Sequence, residues 1–242
     1  MNRSVKPEFD QYAEHYTDLH RASIGASGED PAFFAAYKAK YMAAWLTDKF
    51  RTQSPSILDF GCGVGNTIPH LRKAFPNASL HGTDPSGESI RLAKESHGQE
   101  AMFRTIESEY LPHDDQSFDV VMAACVFHHI SPAERANWMS EIRRVLKPGG
   151  HIFVFEHNML NPLTLKTVRD CPFDEDAILL PRSELVGLVR HAKFAGADCR
   201  YIVFFPHSLA LLRRLEPMMS WIPFGAQYVV HGTVDYINNP IT

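Results

Sequence analysis

The chain has 242 residues, of which 45% are hydrophobic and 21% charged, and its formal net charge is −4. This length predicts one large domain or two small ones, with enough buried surface to fold without disulfides or metals. The negative charge, with no long block of Lys and Arg, speaks against nucleic acid as a partner.

The four cysteines, which lie far apart and form no C-x-x-C pair, are Cys62, Cys125, Cys171 and Cys199. This spacing argues against a zinc knuckle or a disulfide framework, so a reducing cytoplasm is the expected compartment. No run approaches the roughly 20 apolar residues of a spanning helix, and the N-terminus lacks the apolar core of a signal peptide. We therefore expect no stable membrane insertion.

The predicted elements begin with two helices within residues 8–48, joined by a Gly/Ser loop at 21–31. From residue 56 onward, short strands alternate with helices, which predicts a parallel sheet covered on both faces. In that part the strands are expected at 56–60, 79–83, 101–106, 118–124 and 151–156, and the helices at 65–75, 86–96 and 132–146. Lys147-Pro148-Gly149-Gly150 is expected to separate the last helix from the last strand. A connection at 158–181 then leads to a helix at 183–194, a strand at 200–205, a helix at 207–220 and a strand near 226–234.

The stretch ILDFGCGVGN at residues 57–66 ends a predicted strand at Asp59 and continues with three glycines at alternate positions. Ligands of open parallel sheets bind at this edge, and glycine lets a ligand approach the main chain beside a helix N-terminus. The dinucleotide fingerprint G-x-G-x-x-G needs a glycine at position 66, where this chain has Asn66. The loop therefore predicts a flat or anionic ligand and disfavours NAD, with a plain turn as the alternative.

This acid-x-G-x-G-x-G pattern resembles the first motif of class I S-adenosylmethionine-dependent methyltransferases, in the group similar to the ubiquinone/menaquinone-biosynthesis enzymes. The stretches LHGTDPS, IESEYLPHDDQSFDVV, FDVVMAACVFHHI and RRVLKPGGHIFVFEHN resemble further motifs of that family in the same order, so the resemblance spans roughly residues 50–160. It implies an α/β fold: a Rossmann-like, doubly wound sheet of seven mostly parallel strands with a final antiparallel strand, helices on both faces and a helical N-terminal cover. It also implies S-adenosyl-L-methionine as cofactor, S-adenosyl-L-homocysteine as product and a small-molecule acceptor.

The resemblance implies residues that bind the cofactor. Asp84 ends the second predicted strand, where an acid accepts hydrogen bonds from ribose hydroxyls, although capping the next helix would also explain it. Glu107 lies where the family usually has an Asp that accepts from the adenine amino group. The other residues expected along the cofactor are Asp59, Gly61, Cys62, Gly63, Asn66, Pro85, Ser86, Ser108 and Ala124, with Tyr12, Tyr16 and Lys38 from the N-terminal helices. Simple aromatic packing is an equally good explanation of the two tyrosines.

A polar cluster follows the fourth and fifth predicted strands: His128 and His129 after one, Glu156 and His157 after the other. Neighbouring strands lie about 4.8 Å apart, so these groups can converge. Methyl transfer needs an aligned acceptor and exclusion of water, and the acceptor's proton has to leave. The resemblance makes His128 the candidate base, with Glu156 as its orienter or an acceptor contact and His129 as a second candidate. Inward packing of one histidine is the alternative. No metal is predicted, because adjacent histidines on a turn chelate one ion poorly.

Two segments outside the common sheet are expected to concern the acceptor. In residues 159–185, the charged residues that could edge a pocket or lie in a solvated loop are Arg169, Asp174, Glu175 and Asp176. The apolar run at 204–230 is interpreted as core or dimer packing rather than a lipid-facing surface, so a homodimer stays open.

Together these observations predict a single domain over 1–242, with a helical cover at 1–50, a cofactor core at 51–157 and an acceptor-side part at 158–242. The predicted activity is methyl transfer to an oxygen or carbon of a small molecule. The alternatives are a nucleoside-binding scaffold that acts through a partner and, with less support, an NAD-dependent oxidoreductase.

Overall fold

Seven strands form one sheet in a computed structural model that describes residues 16–46 and 54–236 of the chain. In chain order the strands are β1 Ser56–Phe60, β2 Ser79–Asp84, β3 Ala101–Thr105, β4 Phe118–Ala124, β5 Leu146–His157, β6 Ala195–Ile202 and β7 Gln227–Thr233. Their order in the sheet is β3-β2-β1-β4-β5-β7-β6, and β7 runs antiparallel to both of its neighbours. The predicted fold class is confirmed.

Helices lie on both faces of this sheet. In chain order they are α1 Tyr16–Ser23, α2 Pro31–Trp45, α3 Ile68–Ala74, α4 Gly87–His97, α5 Arg135–Val145, α6 Pro162–Asp170, α7 Arg182–His191 and α8 Glu216–Met219. Short 3₁₀ turns lie at Gly25–Ser27, Phe127–His129, Pro172–Asp174 and His207–Leu215. Within the described ranges, no helix combines the length and hydropathy that crossing a membrane requires.

Strand β4 is apolar from Val120 to Ala124 because it contributes to two cores. Val121 and Ala123 pack into an apolar cluster with α5 and α7, whereas Val120 and Met122 pack into a second cluster with α2, α3 and α4. Successive side chains of a strand point to opposite faces, so a strand buried on both faces loses the alternation of polar and apolar residues. This packing on both faces fixes the main chain of β4, at whose end the site residues lie.

The structure corrects the expected boundary at residues 147–150. No loop separates α5 from β5, because the strand begins at Leu146 directly after the helix. Gly149 adopts φ +76°, and the pairing with β4 shifts register between Phe118 and Val120. The Pro-Gly-Gly sequence therefore forms an irregular start of the strand rather than a break in the chain.

The segment after β5 also differs from expectation. Residues 158–181 contain helix α6, with Pro162 at its first position and Asn161 as its N-cap, whose Oδ1 accepts from Leu163 N at 3.0 Å. Proline is tolerated at the first helical position because that N–H has no intrahelical partner. The expected helix at 207–220 is instead a 3₁₀ segment followed by the short helix α8.

The apolar C-terminal run at 204–230 packs into the core only in part: Tyr228, Val229 and Val230 are buried in β7, whereas most of the segment before β7 is not. Leu211, Met218 and Trp221 are exposed by 84%, 76% and 71%. The prediction of core packing is wrong for these side chains, and the alternative of dimer packing stays a prediction.

Candidate active site

A cavity of about 600 Å³ lies beyond the carboxyl ends of β1, β2, β4 and β5. We call it the sheet-edge cavity. The strand order reverses between β1 and β4, and ligands of open α/β sheets bind beside such a point. The cavity has a glycine-lined end at β1 and β2 and a histidine-rich end at β4 and β5, and helix α2 contributes Phe33, Phe34 and Lys38 to its wall.

The three glycines after β1 serve different purposes, although all have positive φ. A Cβ on Gly61 would lie 2.5 Å from Cγ2 of Val126, and one on Gly65 would lie 3.0 Å from Cδ2 of His97. A Cβ on Gly63 would have no atom within 4 Å, and Gly63 lines the sheet-edge cavity. Gly61 and Gly65 are therefore required by packing within the protein, and Gly63 leaves its space to a ligand.

Asp84, at the end of β2, holds the glycine turn in place. Its Oδ2 accepts a hydrogen bond from Gly63 N at 2.9 Å, and its Oδ1 accepts from Ser86 N at 2.9 Å. The N-cap of α4 is Ser86, whose Oγ accepts from Ser89 N at 3.0 Å. Helix capping is therefore the role of Ser86, whereas Asp84 lines the cavity next to the turn.

Asp59 and Lys38 place two buried charges at the cavity wall. Asp59 is 1% exposed, and its Oδ2 has no hydrogen-bond partner among the described residues. Burial, assisted by Asp84, raises the pKa of Asp59 to about 7, while Lys38 acts in the opposite direction. These groups offer a carboxylate and an ammonium to a ligand that carries charges of both signs.

At the other end of the cavity, His128 is bonded to Glu156. His128 Nδ1 lies 2.6 Å from Glu156 Oε2, and both side chains are 1% exposed. Glu156 Oε1 accepts hydrogen bonds from Val126 N at 3.1 Å and Phe127 N at 2.8 Å. The carboxylate is thus fixed by main chain on one oxygen and fixes the imidazole with the other.

Asp174 completes this cluster from the turn that follows α6. Its Oδ1 lies 3.6 Å from His128 Nε2 and 3.3 Å from His129 Nε2. The His128 ring centroid is also 5.0 Å from that of His157 at the end of β5. The cluster therefore joins residues from β4, β5 and the segment after α6.

The electrostatics of the cluster are dominated by its two carboxylates. Burial lowers the pKa of His128, but the charges of Glu156 and Asp174 outweigh burial and raise the pKa to about 10. Contacts with the histidines hold the pKa of Asp174 well below its usual range despite its burial. Burial, followed by the charge of His128, lowers the pKa of His157 to about 4. At neutral pH, positive charge is therefore favoured between the two carboxylates, and His157 is neutral.

Arg135 ties the histidine turn to the segment that carries Asp174. This arginine is 1% exposed, and its Nε donates to the carbonyls of Phe127 and Ile130 at 3.1 and 3.0 Å. Its Nη2 donates to Ile178 O at 2.6 Å, and Ile178 N in turn donates to His128 O at 2.8 Å. The buried Arg135 side chain thus holds the turn that carries His128 next to the segment that carries Asp174.

The cavity brings together most of the residues that the sequence predicted. Those that line it are Lys38, Asp59, Gly61, Cys62, Gly63, Asn66, Asp84, Pro85, Ala124, His128 and His129. Ser86 caps α4, and Glu156 lies buried behind His128. Glu107 and Ser108 are exposed and are not among the residues that line the cavity, although Ile106 is. Tyr12 lies outside the described residues, and Tyr16 begins α1.

Of the charged residues in 159–185, Asp174 lines the cavity, whereas Arg169, Glu175 and Asp176 are exposed. His20 and Trp138, which sequence reasoning missed, also line the cavity. No motif pointed to these two residues, because they come from helices whose place over the sheet edge is set by packing. His157, for which the sequence predicts no catalytic role, also lines the cavity.

Comparison with known proteins agrees with this geometry. Residues 57–150 match the family model described as a methyltransferase domain. A demethylmenaquinone methyltransferase of Chlorobaculum tepidum is 30% identical over 154 residues, which are 63% of this chain and 59% of the relative. The chain thus spans about three fifths of that relative's length.

Solved structures share the fold. One is a methyltransferase of Haloferax volcanii that was solved in complex with the activator Trm112. It has a TM-score of 0.67 and 20% sequence identity, and the match covers 96% of this chain and 100% of the Haloferax chain. An S-adenosylmethionine-dependent methyltransferase of Thermotoga maritima has a TM-score of 0.64 and 20% sequence identity. That match covers 94% of this chain and 98% of the Thermotoga chain. The predicted family resemblance is confirmed.

Proposed function

We propose that the protein transfers a methyl group from S-adenosylmethionine to an oxygen or carbon of a small molecule, because residues 57–150 match a methyltransferase domain. The observation that carries the proposal is the glycine-lined end of the sheet-edge cavity. There, Gly63 leaves open the space of a side chain directly beside the Asp84 carboxylate.

The residues at this end fit the cofactor group by group. The carboxylate of Asp84 lines the cavity beside Gly63, a position from which it can accept hydrogen bonds from the two sugar hydroxyls. The buried Oδ2 of Asp59, which has no partner in the described part of the chain, suits the amino group. Lys38 is 7% exposed and, within the described ranges, makes no hydrogen bond or ion pair, so it suits the carboxylate. Glu107 stays the proposed acceptor for the adenine amino group.

When bound, the cofactor supplies an activated methyl group, so the protein has to position the acceptor and keep water out. The histidine-rich end of the cavity lies across from the glycine turn, and we assign it to the acceptor. His128 is the proposed base, which has to release the proton that Glu156 and Asp174 stabilise before it can accept one from the acceptor. Glu156 is the carboxylate that orients it, and His129 is a second contact. The largely apolar and aromatic wall from α2 favours an acceptor with an apolar body.

Two measurements test this function. Calorimetry with S-adenosylhomocysteine, NAD and NADP should give binding of the first alone, and binding of NAD would point to a dehydrogenase instead. Incubation with methyl-labelled S-adenosylmethionine and fractionated cell extract should move label into a small-molecule fraction. Tight binding of S-adenosylhomocysteine without transfer to any fraction would favour the nucleoside-binding scaffold.

A further inference from the structure

The histidine-rich end of the cavity holds three groups that can act as metal ligands. His128, His157 and Asp174 each offer one ligand atom, and these atoms all lie within 4.8 Å of one another. One of these pairs, His128 Nε2 and Asp174 Oδ1, is 3.6 Å apart. Two ligands about 2.1 Å from a tetrahedral zinc ion lie about 3.4 Å from each other, so this pair is already close to the distance that an ion requires.

The ring of His128 is held as a metal-binding histidine usually is. Its Nδ1 is bonded to the buried carboxylate of Glu156 at 2.6 Å, and its side chain is 1% exposed. Its Nε2 is buried and has no hydrogen-bond partner within the described ranges. In metal sites a carboxylate commonly fixes the distal nitrogen of a ligating imidazole in this way. A metal ion between Nε2 and Asp174 would take the place of the proton that the imidazole otherwise carries there, because a ligating histidine is neutral.

The three groups come from separate elements that the fold holds together. His128 follows β4, His157 ends β5, and Asp174 belongs to the turn after α6. Arg135 bonds both to the histidine turn and to Ile178 beyond Asp174. The convergence therefore does not depend on an ion to create it, and the adjoining cavity of about 600 Å³ leaves room for further ligands.

We propose that a divalent first-row transition metal ion binds to His128, His157 and Asp174 at the histidine-rich end of the cavity. Two imidazoles and one carboxylate suit Zn²⁺, Fe²⁺, Co²⁺ or Mn²⁺ and not the all-oxygen preference of Mg²⁺ and Ca²⁺. The sequence reasoning against a metal considered the adjacent His128–His129 pair. The site instead combines His128 with His157 from the neighbouring strand.

The inference rests on the proposed function in one respect: His128, His157 and Asp174 line the part of the cavity that is assigned to the acceptor. An acceptor hydroxyl bound to such an ion would lose its proton to solvent far more readily than when free. With an ion present, His128 serves as a ligand, and the ion makes the acceptor oxygen nucleophilic. The acceptor class favoured by this site is a hydroxylated molecule, such as a phenol or an enol.

The test uses the full chain without affinity histidines, stripped with a chelator and titrated with Zn²⁺ and Co²⁺. We expect about one equivalent of Zn²⁺ retained after dialysis and a visible Co²⁺ absorption typical of mixed nitrogen and oxygen ligands. Asp174→Asn and His157→Gln should each weaken Zn²⁺ binding at least about tenfold. His191→Gln, which replaces an exposed histidine, is the control and should bind Zn²⁺ as the parent does.

S-adenosylhomocysteine affinity, measured on every variant, shows that the protein is folded and keeps the two proposals separate. Normal S-adenosylhomocysteine binding with no retained Zn²⁺, or with equal Zn²⁺ affinity in the parent, Asp174→Asn and His157→Gln, would overturn the metal site and leave the proposed function intact. Retained Zn²⁺ that depends on these residues, without S-adenosylhomocysteine binding, would support the metal site and refute the methyltransferase assignment.

Discussion

His128 Nδ1 lies 2.6 Å from Glu156 Oε2, and neither side chain is exposed by more than 1%. Glu156 is itself fixed by two main-chain donors, so the imidazole has one orientation, in which its second nitrogen lies 3.6 Å from Asp174 Oδ1. A ring held so firmly at a cavity wall is positioned for a chemical task, whether it exchanges a proton or binds an ion.

His128→Ala is therefore expected to lower single-turnover methyl transfer about 10²-fold, the usual scale for loss of an acid–base group. Affinity for S-adenosylhomocysteine should stay within about threefold, because His128 lies at the opposite end of the cavity from Asp84. Rapid-quench measurement with labelled cofactor and an acceptor from the extract screen would check this, with His191→Ala as the control. An unchanged single-turnover rate would remove His128 from the active site.

Asp84→Ala is expected to weaken S-adenosylhomocysteine binding by about 1.5–3 kcal/mol, the scale of lost hydrogen bonds to a charged group. The variant loses the proposed contacts to the sugar as well as the bond that holds Gly63 N. Calorimetry would measure the change, and Glu109→Gln, which alters an exposed acid on the loop after β3, should have no effect. Equal affinities for parent and Asp84→Ala would contradict the sugar contact.

The sheet was predictable because its strands carry local signals. β1 and β4 match their expected bounds, since an apolar run buried on both faces leaves little other choice to the chain. Two of the errors arose at Pro162 and Gly149, where residues that commonly end elements instead lie at the first position of a helix and in the irregular start of a strand. The sequence pattern cannot distinguish a proline or glycine that ends an element from one that begins an element, because tertiary contacts decide which backbone conformation the residue adopts.

The site was predictable to the extent that it follows the ends of strands. Asp59, Asp84, His128 and Glu156 meet at one edge because parallel strands end there together. The contact of Asp174 with His128 depends instead on how Arg135 docks a distant segment. No local pattern encodes such a contact, since it forms only when the two segments pack around one buried guanidinium.

Gly61→Ala and Gly63→Ala should separate folding from binding. Both glycines have positive φ, +73° and +52°, so both alanines carry a similar backbone cost of about 1–2 kcal/mol. Gly61→Ala also places Cβ 2.5 Å from Val126 and should lower the free energy of unfolding further, by about 1–3 kcal/mol.

Gly63→Ala should fold with the backbone cost alone, because its Cβ meets nothing within 4 Å, and yet weaken S-adenosylhomocysteine binding at least about tenfold. Urea denaturation and calorimetry on both variants provide the comparison. If Gly63→Ala binds S-adenosylhomocysteine as tightly as the parent, the cofactor does not lie against this turn.

Arg135→Met is expected to lower the free energy of unfolding by about 2–4 kcal/mol. The change leaves the carbonyls of Phe127, Ile130 and Ile178 without their buried donor, and each unsatisfied group costs about 1–3 kcal/mol before relaxation. Arg190→Met, at an exposed position on α7, is the matched control and should change stability by less than about 0.5 kcal/mol. Equal urea midpoints for the two variants would show that Arg135 does not hold the two walls together.

Stability should fall as the pH drops from 7 to 5, in part through His113, which lies away from the active site. Burial, followed by the charge of Arg104, lowers the pKa of His113 to about 4, and its ring lies 4.9 Å from that of Phe118. The unfolded chain, with a histidine pKa near 6.5, binds more protons than the folded protein between about pH 4 and 6.5, so protonation favours unfolding there.

Replacing this residue by His113→Gln should reduce the loss of unfolding free energy between pH 7 and pH 5 by about 1 kcal/mol, after allowance for partial exposure. Urea denaturation at both pH values measures the difference, because parent and variant share every histidine except this one. His191→Gln should leave the loss unchanged. A loss of the same size in His113→Gln as in the parent would show that this imidazole titrates alike in the folded and unfolded chain.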